Sequence, residues 1–146
     1  MPASARPSPF FIDTNVFVYT FDQEPTVRRA KARELVELAL TTGLGVVSYQ
    51  VIQEFLNVAT TKFAVPLTAA DCRLYLELVL APLWRVSPTA ELYARALEIQ
   101  STSGYGFYDS LIVAGALAAG CGTLYSEDLQ NGRRFELLTV VDPFTL

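Results

Sequence analysis

Short hydrophobic runs alternate along the chain with longer segments in which apolar and polar residues recur at helical spacing. Runs of three or four mostly apolar residues, bounded by polar or glycine positions, are typical of short buried strands. The pattern predicts strands at residues 10–12, 45–47, 84–86, 123–126 and 138–141.

The segments between these runs predict helices, because many begin with serine, threonine or proline and several end at glycine. With their caps, the expected helices cover about residues 16–21, 26–40, 48–63, 68–82, 87–100 and 109–119. Ser48 and Asp109 are the expected first residues of two of them. Residues 101–108 are expected to form a glycine-rich loop.

Strands that alternate with helices predict an α/β fold. We expect a three-layer sandwich in which helices cover a central parallel sheet of 4–5 short strands. The chain is short enough for one domain, residues 1–146, of which residues 1–9 could be flexible. Ligands bind such sheets beyond the carboxyl ends of the strands, so polar residues that follow strands are the first candidates for a site.

The composition of the chain narrows the chemistry that it can perform. Hydrophobic residues make up 51% and the formal net charge is −4, which indicates a folded globular protein and not a basic nucleic-acid coat. The chain contains no histidine. This excludes histidine acid–base catalysis, Ser-His-Asp and Cys-His nucleophiles, and most zinc sites.

The cysteines and the N-terminal residues indicate a cytoplasmic protein. Cys72 and Cys121 lie far apart in apolar surroundings; we expect buried thiols, and a disulfide is the alternative. Residues 1–9 lack the apolar segment of a secretory signal. Residues 111–124, the most apolar stretch, are shorter than the ~20 residues needed to span a bilayer, so we expect no membrane contact.

Four acidic residues are expected at one edge of the sheet. Asp13 follows the first strand and Asp128 lies just after the strand that ends near Ser126, so both would project from the carboxyl edge. Asp109 begins a helix whose N-terminus would face that edge after a right-handed crossover. Glu54 lies at the rim of the apolar arc of its helix and could lean over the same edge.

Each acid also has an ordinary explanation as a helix cap, a turn residue or a solvated side chain. The convergence of four acids from separate segments favours a common site. Clustered carboxylates take up protons unless a cation lies among them, and oxygen ligands without His or Cys favour Mg²⁺, with Mn²⁺ as the alternative. Such a cation could bind a phosphodiester oxygen and lower the pKa of an attacking water.

Several sequence pieces, taken in order, resemble the PIN domain and, within it, the VapC toxins of bacterial and archaeal toxin–antitoxin pairs. They are FIDTNV at 11–16, SYQVIQEF at 48–55, FYDSLI at 107–112, LYSEDL at 124–129 and VDPF at 141–144. The resemblance spans nearly the whole chain. It implies a metal-dependent endoribonuclease that acts as the toxin of a type II toxin–antitoxin system and is inhibited by a cognate antitoxin.

The resemblance also implies roles for individual residues. Four acids take the positions of the family's metal-binding catalytic acids: Asp13, Glu54, Asp109 and Asp128. Asn15 matches a polar residue that helps to arrange the first acid, and Ser126 stands where the family often has a hydroxyl. Glu127 should point away from the site if the strand continues. The apolar composition, together with the resemblance, predicts a homodimer.

Arginines near Asp128 form a separate hypothesis. Arg133 and Arg134 could hold a phosphate of an RNA substrate or acidic groups of the antitoxin, and a solvated turn is an equal alternative. The basic residues of the second helix, Arg28, Arg29, Lys31 and Arg33, are expected on a charged outer face.

Two other functions remain open. Receiver and haloacid-dehalogenase-type phosphotransfer proteins also place acids at parallel strand ends. The dehalogenase pattern needs an acid where Asn15 stands, and the only lysines, Lys31 and Lys62, lie outside the region where both classes need one. The other alternative is a non-catalytic PIN-like module that binds RNA or protein. Retention of all four acids argues against it, and EDTA-sensitive cleavage of RNA would separate the two.

Overall fold

The computed structural model describes residues 7–145, in which helices cover a six-stranded sheet. The strands are β1 (Phe10–Ile12), β2 (Gly45–Ser48), β3 (Trp84–Val86), β4 (Thr123–Tyr125), β5 (Arg134–Phe135) and β6 (Leu138–Val141). The helices are α1 (Thr14–Tyr19), α2 (Val27–Thr42), α3 (Tyr49–Thr61), α4 (Ala69–Tyr75), α5 (Ala81–Leu83), α6 (Ala90–Ser103) and α7 (Phe107–Ala118). Of the nine residues expected to be flexible, residues 1–6 lie outside the described residues.

The sheet is almost entirely parallel. Its strand order is β3-β2-β1-β4-β6-β5, and only β5 runs antiparallel to its neighbour, β6. The α/β fold and the five expected strands are confirmed. The sixth strand, β5, was not predicted, because two residues are too few to leave an alternating hydrophobic pattern.

Helices α2 and α7 lie on opposite faces of the sheet. The backbone of α7 at Gly115 packs on the ring of Phe11. On β2, a Cβ added at Gly45 would lie 2.2 Å from the Cβ of Ala39 in α2, so only glycine permits this close approach. Phe11 pairs with Val46, the neighbour of Gly45, and successive strand residues face opposite sides. The predicted three-layer arrangement follows from these contacts.

Large apolar side chains fill the space between the sheet and its helices. Those that are fully buried include Phe11, Phe17, Phe55, Leu80, Leu124 and Leu138. An aromatic cluster extends this core between α3 and α4, where the Phe55 and Tyr75 rings stack at 4.8 Å and Phe21 lies 5.1 Å from Tyr75. Each buried large side chain contributes about 1.5–3 kcal/mol, and this packing fixes the sheet edge relative to α1, α3 and α7.

Three expected features of the helices are wrong. The helix expected at 68–82 is interrupted, because a π-helical segment, Leu76–Leu80, separates α4 from α5. The loop expected at 101–108 is confined to residues 104–106, since α6 continues to Ser103 and α7 begins at Phe107. Ser48 precedes α3 as expected, but its hydroxyl forms no capping hydrogen bond.

The cysteines are free and buried, as expected. Burial raises the pKa of the Cys121 thiol to about 12, so this thiol stays protonated at neutral pH. Over residues 7–145, no helix is both long enough and apolar enough to cross a lipid bilayer.

Candidate active site

The carboxyl ends of β1 and β4 bring Asp13 and Ser126 into contact. The two strands pair in parallel, and each of these residues directly follows its strand. The Ser126 hydroxyl donates a hydrogen bond to Asp13 Oδ2 at 2.8 Å, and the backbone N–H of Thr14 donates to Asp13 Oδ1 at 2.8 Å. Asp13 is only 8% exposed, so both carboxylate oxygens are oriented inside the protein.

Thr14 and Gln50 hold the carboxylate of Glu54. Thr14 Oγ1 donates to Glu54 Oε2 at 2.7 Å, and Gln50 Nε2 donates to Glu54 Oε1 at 3.1 Å. Thr14 and Gln50 are buried, whereas Glu54 is half-buried. Gln50 Nε2 also donates to the carbonyl oxygen of Tyr108 at 3.1 Å. One buried amide therefore connects Glu54 on α3 with the first turn of α7.

Asp109 and Asp128 approach the same edge from the solvent side. Asp109 is the third residue of α7, and Gly106 occupies the capping position, so the expectation that Asp109 begins the helix is wrong. Asp128 lies in the turn after β4, where its Oδ2 accepts a hydrogen bond from Asn15 Nδ2 at 2.8 Å. Its backbone N–H donates to Ser126 Oγ at 3.3 Å. Both aspartates are exposed.

Burial and mutual repulsion make these four carboxylates hard to ionise together. Burial raises the pKa of Asp13 to about 6, and the charges of Glu54 and Asp128 add to the increase, although two hydrogen bonds oppose it. Burial and then the charge of Glu54 raise the pKa of Asp109. Burial and then the charges of Asp109 and Glu54 raise the pKa of Asp128. The structure therefore brings the four sequence-predicted acids into one electrostatic cluster.

The donor chemistry of this carboxylate cluster fits a hard divalent cation. Its side chains offer only oxygen ligands, and a cation would favour their ionised forms. Within residues 7–145, no three histidine, cysteine or acidic side chains stand close enough together to hold a metal ion. Mg²⁺ commonly binds one or two carboxylates and keeps several waters. In this structure, therefore, no more than two acids of the cluster stand close enough together to bind the same ion.

Glu127 contacts a different part of the molecule. Its carboxylate accepts a hydrogen bond from the hydroxyl of Tyr19. The Tyr19 ring packs edge-on against Phe144 and lies 3.8 Å from the Arg28 guanidinium. Burial and then the charge of Asp128 raise the pKa of Glu127. Glu127 thus connects the turn after β4 to α1.

The two arginines after Asp128 have different environments. The guanidinium of Arg133 lies 4.7 Å from the ring centre of Tyr105 and 5.1 Å from that of Phe135. Arg134 lies in β5 and is exposed. Within the described part of the chain, neither forms an ion pair. Arg133 is therefore held in place by aromatic rings while its charge stays unneutralised.

Sequence reasoning missed Thr14 and Gln50 as residues that arrange the site. A signal for Gln50 was present, because a polar residue four positions before Glu54 on a helix lies beside it. Thr14 follows Asp13 directly and was considered only as part of a turn. Its contact with Glu54 joins residues 40 positions apart, which no local pattern reveals.

A comparison with known protein families gives a match over most of the chain. The sequence model of a family described as PIN domain matches residues 10–134. This span includes the four acids, Asn15, Ser126 and both arginines. A search of curated proteins found no match.

Several solved structures share the fold. VapC20 of Mycobacterium tuberculosis, described as a sarcin–ricin loop cleaving toxin, has a TM-score of 0.60 and 20% identity over 80% of this chain and 88% of its own. A toxin–antitoxin complex from Klebsiella pneumoniae has a TM-score of 0.66 and 15% identity, covering 95% and 100%. VapBC2 of Rickettsia felis, bound to a promoter DNA fragment, has a TM-score of 0.62 and 19% identity, covering 90% and 96%.

Proposed function

Since this chain belongs to the PIN domain family, we propose that it is a metal-dependent endoribonuclease, the toxin of a type II toxin–antitoxin system. One observation carries the proposal: four acids from four segments form a single electrostatic cluster at the carboxyl edge of the sheet. Nucleases of this family generally use divalent metal ions. The raised pKa values are those expected of carboxylates that need a cation.

In this proposal Asp13, Glu54, Asp109 and Asp128 are the metal ligands, and Mg²⁺ is the physiological ion, with Mn²⁺ as a substitute. When bound, the ion would neutralise the cluster, hold a phosphodiester oxygen and lower the pKa of an attacking water.

The hydrogen-bond donors around the acids position them for this role. Ser126 fixes one oxygen of Asp13 and Asn15 fixes one oxygen of Asp128. In metal sites, partners of this kind orient the ligands, and their loss typically costs about 10–100-fold in metal affinity or activity.

Arg133 and Arg134 are the proposed contacts for a substrate phosphate. Arg133 follows the turn after Asp128 and Arg134 begins β5, and neither forms an ion pair with a carboxylate within the described residues. Each phosphate contact that is lost should weaken RNA binding and reduce its salt dependence. Unchanged RNA affinity in the double variant Arg133→Ala, Arg134→Ala would remove these residues from the proposal.

The proposal also includes a cognate antitoxin as partner, a homodimer of this chain and a cytoplasmic location. Structural relatives from Klebsiella pneumoniae and Rickettsia felis are toxin–antitoxin complexes. Exposed apolar side chains such as Leu97 and Leu78 offer surface that a partner could cover. Sedimentation of the purified chain at micromolar concentration should show a dimer, and a clean monomer would contradict that part.

Cleavage of total RNA tests the proposed activity. The wild-type protein with Mg²⁺ should produce discrete new ends that sequencing can map, and EDTA should abolish them. Asp13→Asn should lower the cleavage rate by at least about 100-fold, because it removes a charge on which the ion depends. Glu98→Gln is the matched control, since Glu98 is an exposed acid on α6 outside the cluster.

Two outcomes would contradict the proposal. Equal cleavage by wild type and Asp13→Asn would exclude the carboxylate mechanism. Intact RNA in the presence of bound Mg²⁺ or Mn²⁺ would favour the alternative, a non-catalytic PIN-like module that binds RNA or protein.

A further inference from the structure

Two buried polar side chains at the beginning of α3 carry atoms that have no hydrogen-bond partner among the described residues. These atoms are the hydroxyl oxygen of Ser48 and the amide oxygen, Oε1, of Gln50. Ser48 is 2% exposed and Gln50 is 4% exposed, so bulk water does not reach them. Buried polar atoms without a partner destabilise a fold and are rare in folded proteins. The pair therefore points to a small molecule that binds inside the protein.

The beginning of α3 also lacks the side-chain cap that its backbone needs. The first turn of an α-helix has N–H groups without an acceptor inside the helix, and a capping side chain usually accepts from the second or third helical residue. In α3 these residues are Gln50 and Val51, and both are buried. The hydroxyl of Ser48, at the capping position, forms no such hydrogen bond. Donors and acceptors that need a partner therefore lie together at this helix end.

The amide of Gln50 has one orientation. Its nitrogen donates to Glu54 Oε1 and to the carbonyl oxygen of Tyr108, both at 3.1 Å. These two acceptors exclude the reversed amide, because Oε1 cannot donate a hydrogen bond. Since the nitrogen and the oxygen leave the same carbon in different directions, Oε1 points away from Glu54 and Tyr108. Gln50 therefore joins the carboxylate of Glu54 to a buried acceptor on its other side.

The packing of α7 leaves room beside Ser48. A Cβ built on Gly115 would come no closer than 3.7 Å to the side chains of Ser48, Phe11 and Val86, which is an ordinary van der Waals distance. A group as large as a methyl therefore fits there without moving a neighbour. A water molecule is no larger than a methyl group, and polar partners together with such a space are what a buried water requires.

The polarity of these groups also selects water. Gln50 Oε1 needs a donor, whereas the first N–H groups of α3 need an acceptor. An anion would be repelled by Oε1, and a cation would face the positive end of the helix dipole. Water both donates and accepts, so it satisfies both sides at once.

We infer that one internal water molecule binds at the beginning of α3, between Ser48 Oγ, Gln50 Oε1 and a backbone N–H of the first turn. About three hydrogen bonds are typical of a buried water. With the water on Oε1 and two acceptors on Nε2, the Gln50 amide cannot turn, so Ser48 and Gln50 are positioning residues for Glu54. The water site goes beyond the proposed nuclease function, and only its effect on metal binding rests on that function.

The urea midpoint of unfolding tests for the water through the sign of its change. If the water is bound, Ser48→Ala removes one of its partners and should lower the midpoint by about 0.3–1 M, the shift for loss of one hydrogen bond. The matched control is Ser110→Ala, which removes a fully buried hydroxyl that donates to the carbonyl oxygen of Gly106 and should lower the midpoint similarly. An unchanged or higher midpoint in Ser48→Ala would overturn the inference, because removing an unpaired polar atom has that effect.

A high-resolution crystal structure of the wild-type protein tests the position of the water. Density for one water is expected about 2.5–3.0 Å from both Ser48 Oγ and Gln50 Oε1. The same density should weaken or disappear in Ser48→Ala. If the wild-type protein shows no density there, the inference is wrong.

Metal affinity tests the positioning role. Isothermal titration with Mn²⁺ should give a Kd about 10-fold weaker for Ser48→Ala and about 10–100-fold weaker for Gln50→Met, the range for residues that orient metal ligands. Adding Ser48→Ala to Gln50→Met should have no further effect, because Ser48 acts through Gln50. Thr60→Ala should leave the Kd unchanged, since Thr60 is exposed on α3 and its hydroxyl bonds only within that helix.

These measurements separate failure of the inference from failure of the proposed function. If the wild-type protein binds no Mn²⁺, the proposed metal site is wrong, and the water is still decided by the crystal density and the urea midpoint. If Mn²⁺ binds but Ser48→Ala leaves its Kd unchanged, or if the losses in the double variant add up, the positioning role is wrong.

Discussion

The carboxylate cluster has a buried half and an exposed half, and the two halves are held differently. The buried half comprises Asp13 with its donors Ser126 and Thr14, and Gln50, all of them less than 9% exposed. In the exposed half, Asp109 and Asp128 lie in solvent. Asp13 receives two hydrogen bonds at 2.8 Å, whereas within the described residues no hydrogen bond to the Asp109 carboxylate is found.

The buried half therefore affects the stability of the fold, whereas the exposed half is accessible to other molecules. Burial raises the pKa of Asp13 to about 6, so the fold is destabilised at neutral pH when no cation compensates the charge. The exposed carboxylates, Asp109 and Asp128, are accessible to the proposed RNA substrate. We therefore expect changes in the buried half to alter both stability and activity, and changes in the exposed half to alter activity with little effect on stability.

The largest difference between the halves is expected in kcat/KM, when one hydrogen-bond donor is removed from each half. Ser126→Ala removes a donor to Asp13 and should lower kcat/KM for RNA cleavage by about 10–100-fold. Asn15→Ala removes the donor to the exposed Asp128 and should lower it by less than about 10-fold, because water can replace the amide. Ser126→Thr, which keeps the hydroxyl, is the control. A larger loss in Asn15→Ala than in Ser126→Ala would reverse the assignment of the two halves.

Replacing one acid in each half by its amide should change the free energy of unfolding by different amounts. In EDTA at pH 7.5, Asp13→Asn should raise the free energy of unfolding by about 1–3 kcal/mol, because it removes a buried charge that is uncompensated without a cation. Asp109→Asn should change it by no more than about 0.5 kcal/mol, as is usual for an exposed side chain. Urea unfolding measures both. A destabilised Asp13→Asn variant would show that the carboxylate stabilises the metal-free fold.

The stability of the metal-free protein should fall as the pH rises. Because the pKa of Asp13 is raised from 3.8 to about 6 in the folded state, the folded protein binds more protons than the unfolded chain between these values. The contribution of Asp13 is therefore full below about pH 4 and lost through pH 6. Urea midpoints in EDTA should drop by the equivalent of about 1 kcal/mol between pH 5 and 7. A flat profile in the wild type would contradict the raised pKa.

The smallest effect on kcat/KM is expected for a change at Glu127, which lies outside both halves. Glu127 adjoins Asp128 in sequence, but its carboxylate contacts Tyr19. Glu127→Gln should therefore change kcat/KM by less than about twofold and retain the hydrogen bond through the amide oxygen. A loss of 10-fold or more, measured with the same RNA, would place Glu127 in the reaction centre and extend the exposed half.

The sequence by itself was sufficient for the parts of the molecule that depend on local patterns. The apolar runs located five strands, because a short buried strand needs only a few adjacent hydrophobic residues. Strand ends then located Asp13 and Asp128, since parallel strands place the residues that follow them at one edge. The helical wheel placed Glu54 at the rim of its helix, where the structure has it half-buried and directed to Thr14.

Local patterns failed at the boundary of one helix, at the interruption of another and at a very short strand. Asp109 was expected to begin a helix, but α7 begins two residues earlier, at Phe107. The π-helical segment Leu76–Leu80 and the two-residue strand β5 were also missed. Strand β5 pairs with the adjacent β6 through a two-residue turn, and it is too short to leave an alternating pattern.

Only the tertiary structure decided how the acids are held. The Ser126–Asp13 and Asn15–Asp128 hydrogen bonds each join residues 113 positions apart, and Gln50 joins Glu54 to a carbonyl oxygen 58 positions along the chain. The pKa of Asp13 depends on burial and on charges contributed by other segments. A linear pattern indicates which groups can reach the sheet edge. Contacts and desolvation arise only when the segments pack, and they determine which acid is buried and which is open to solvent.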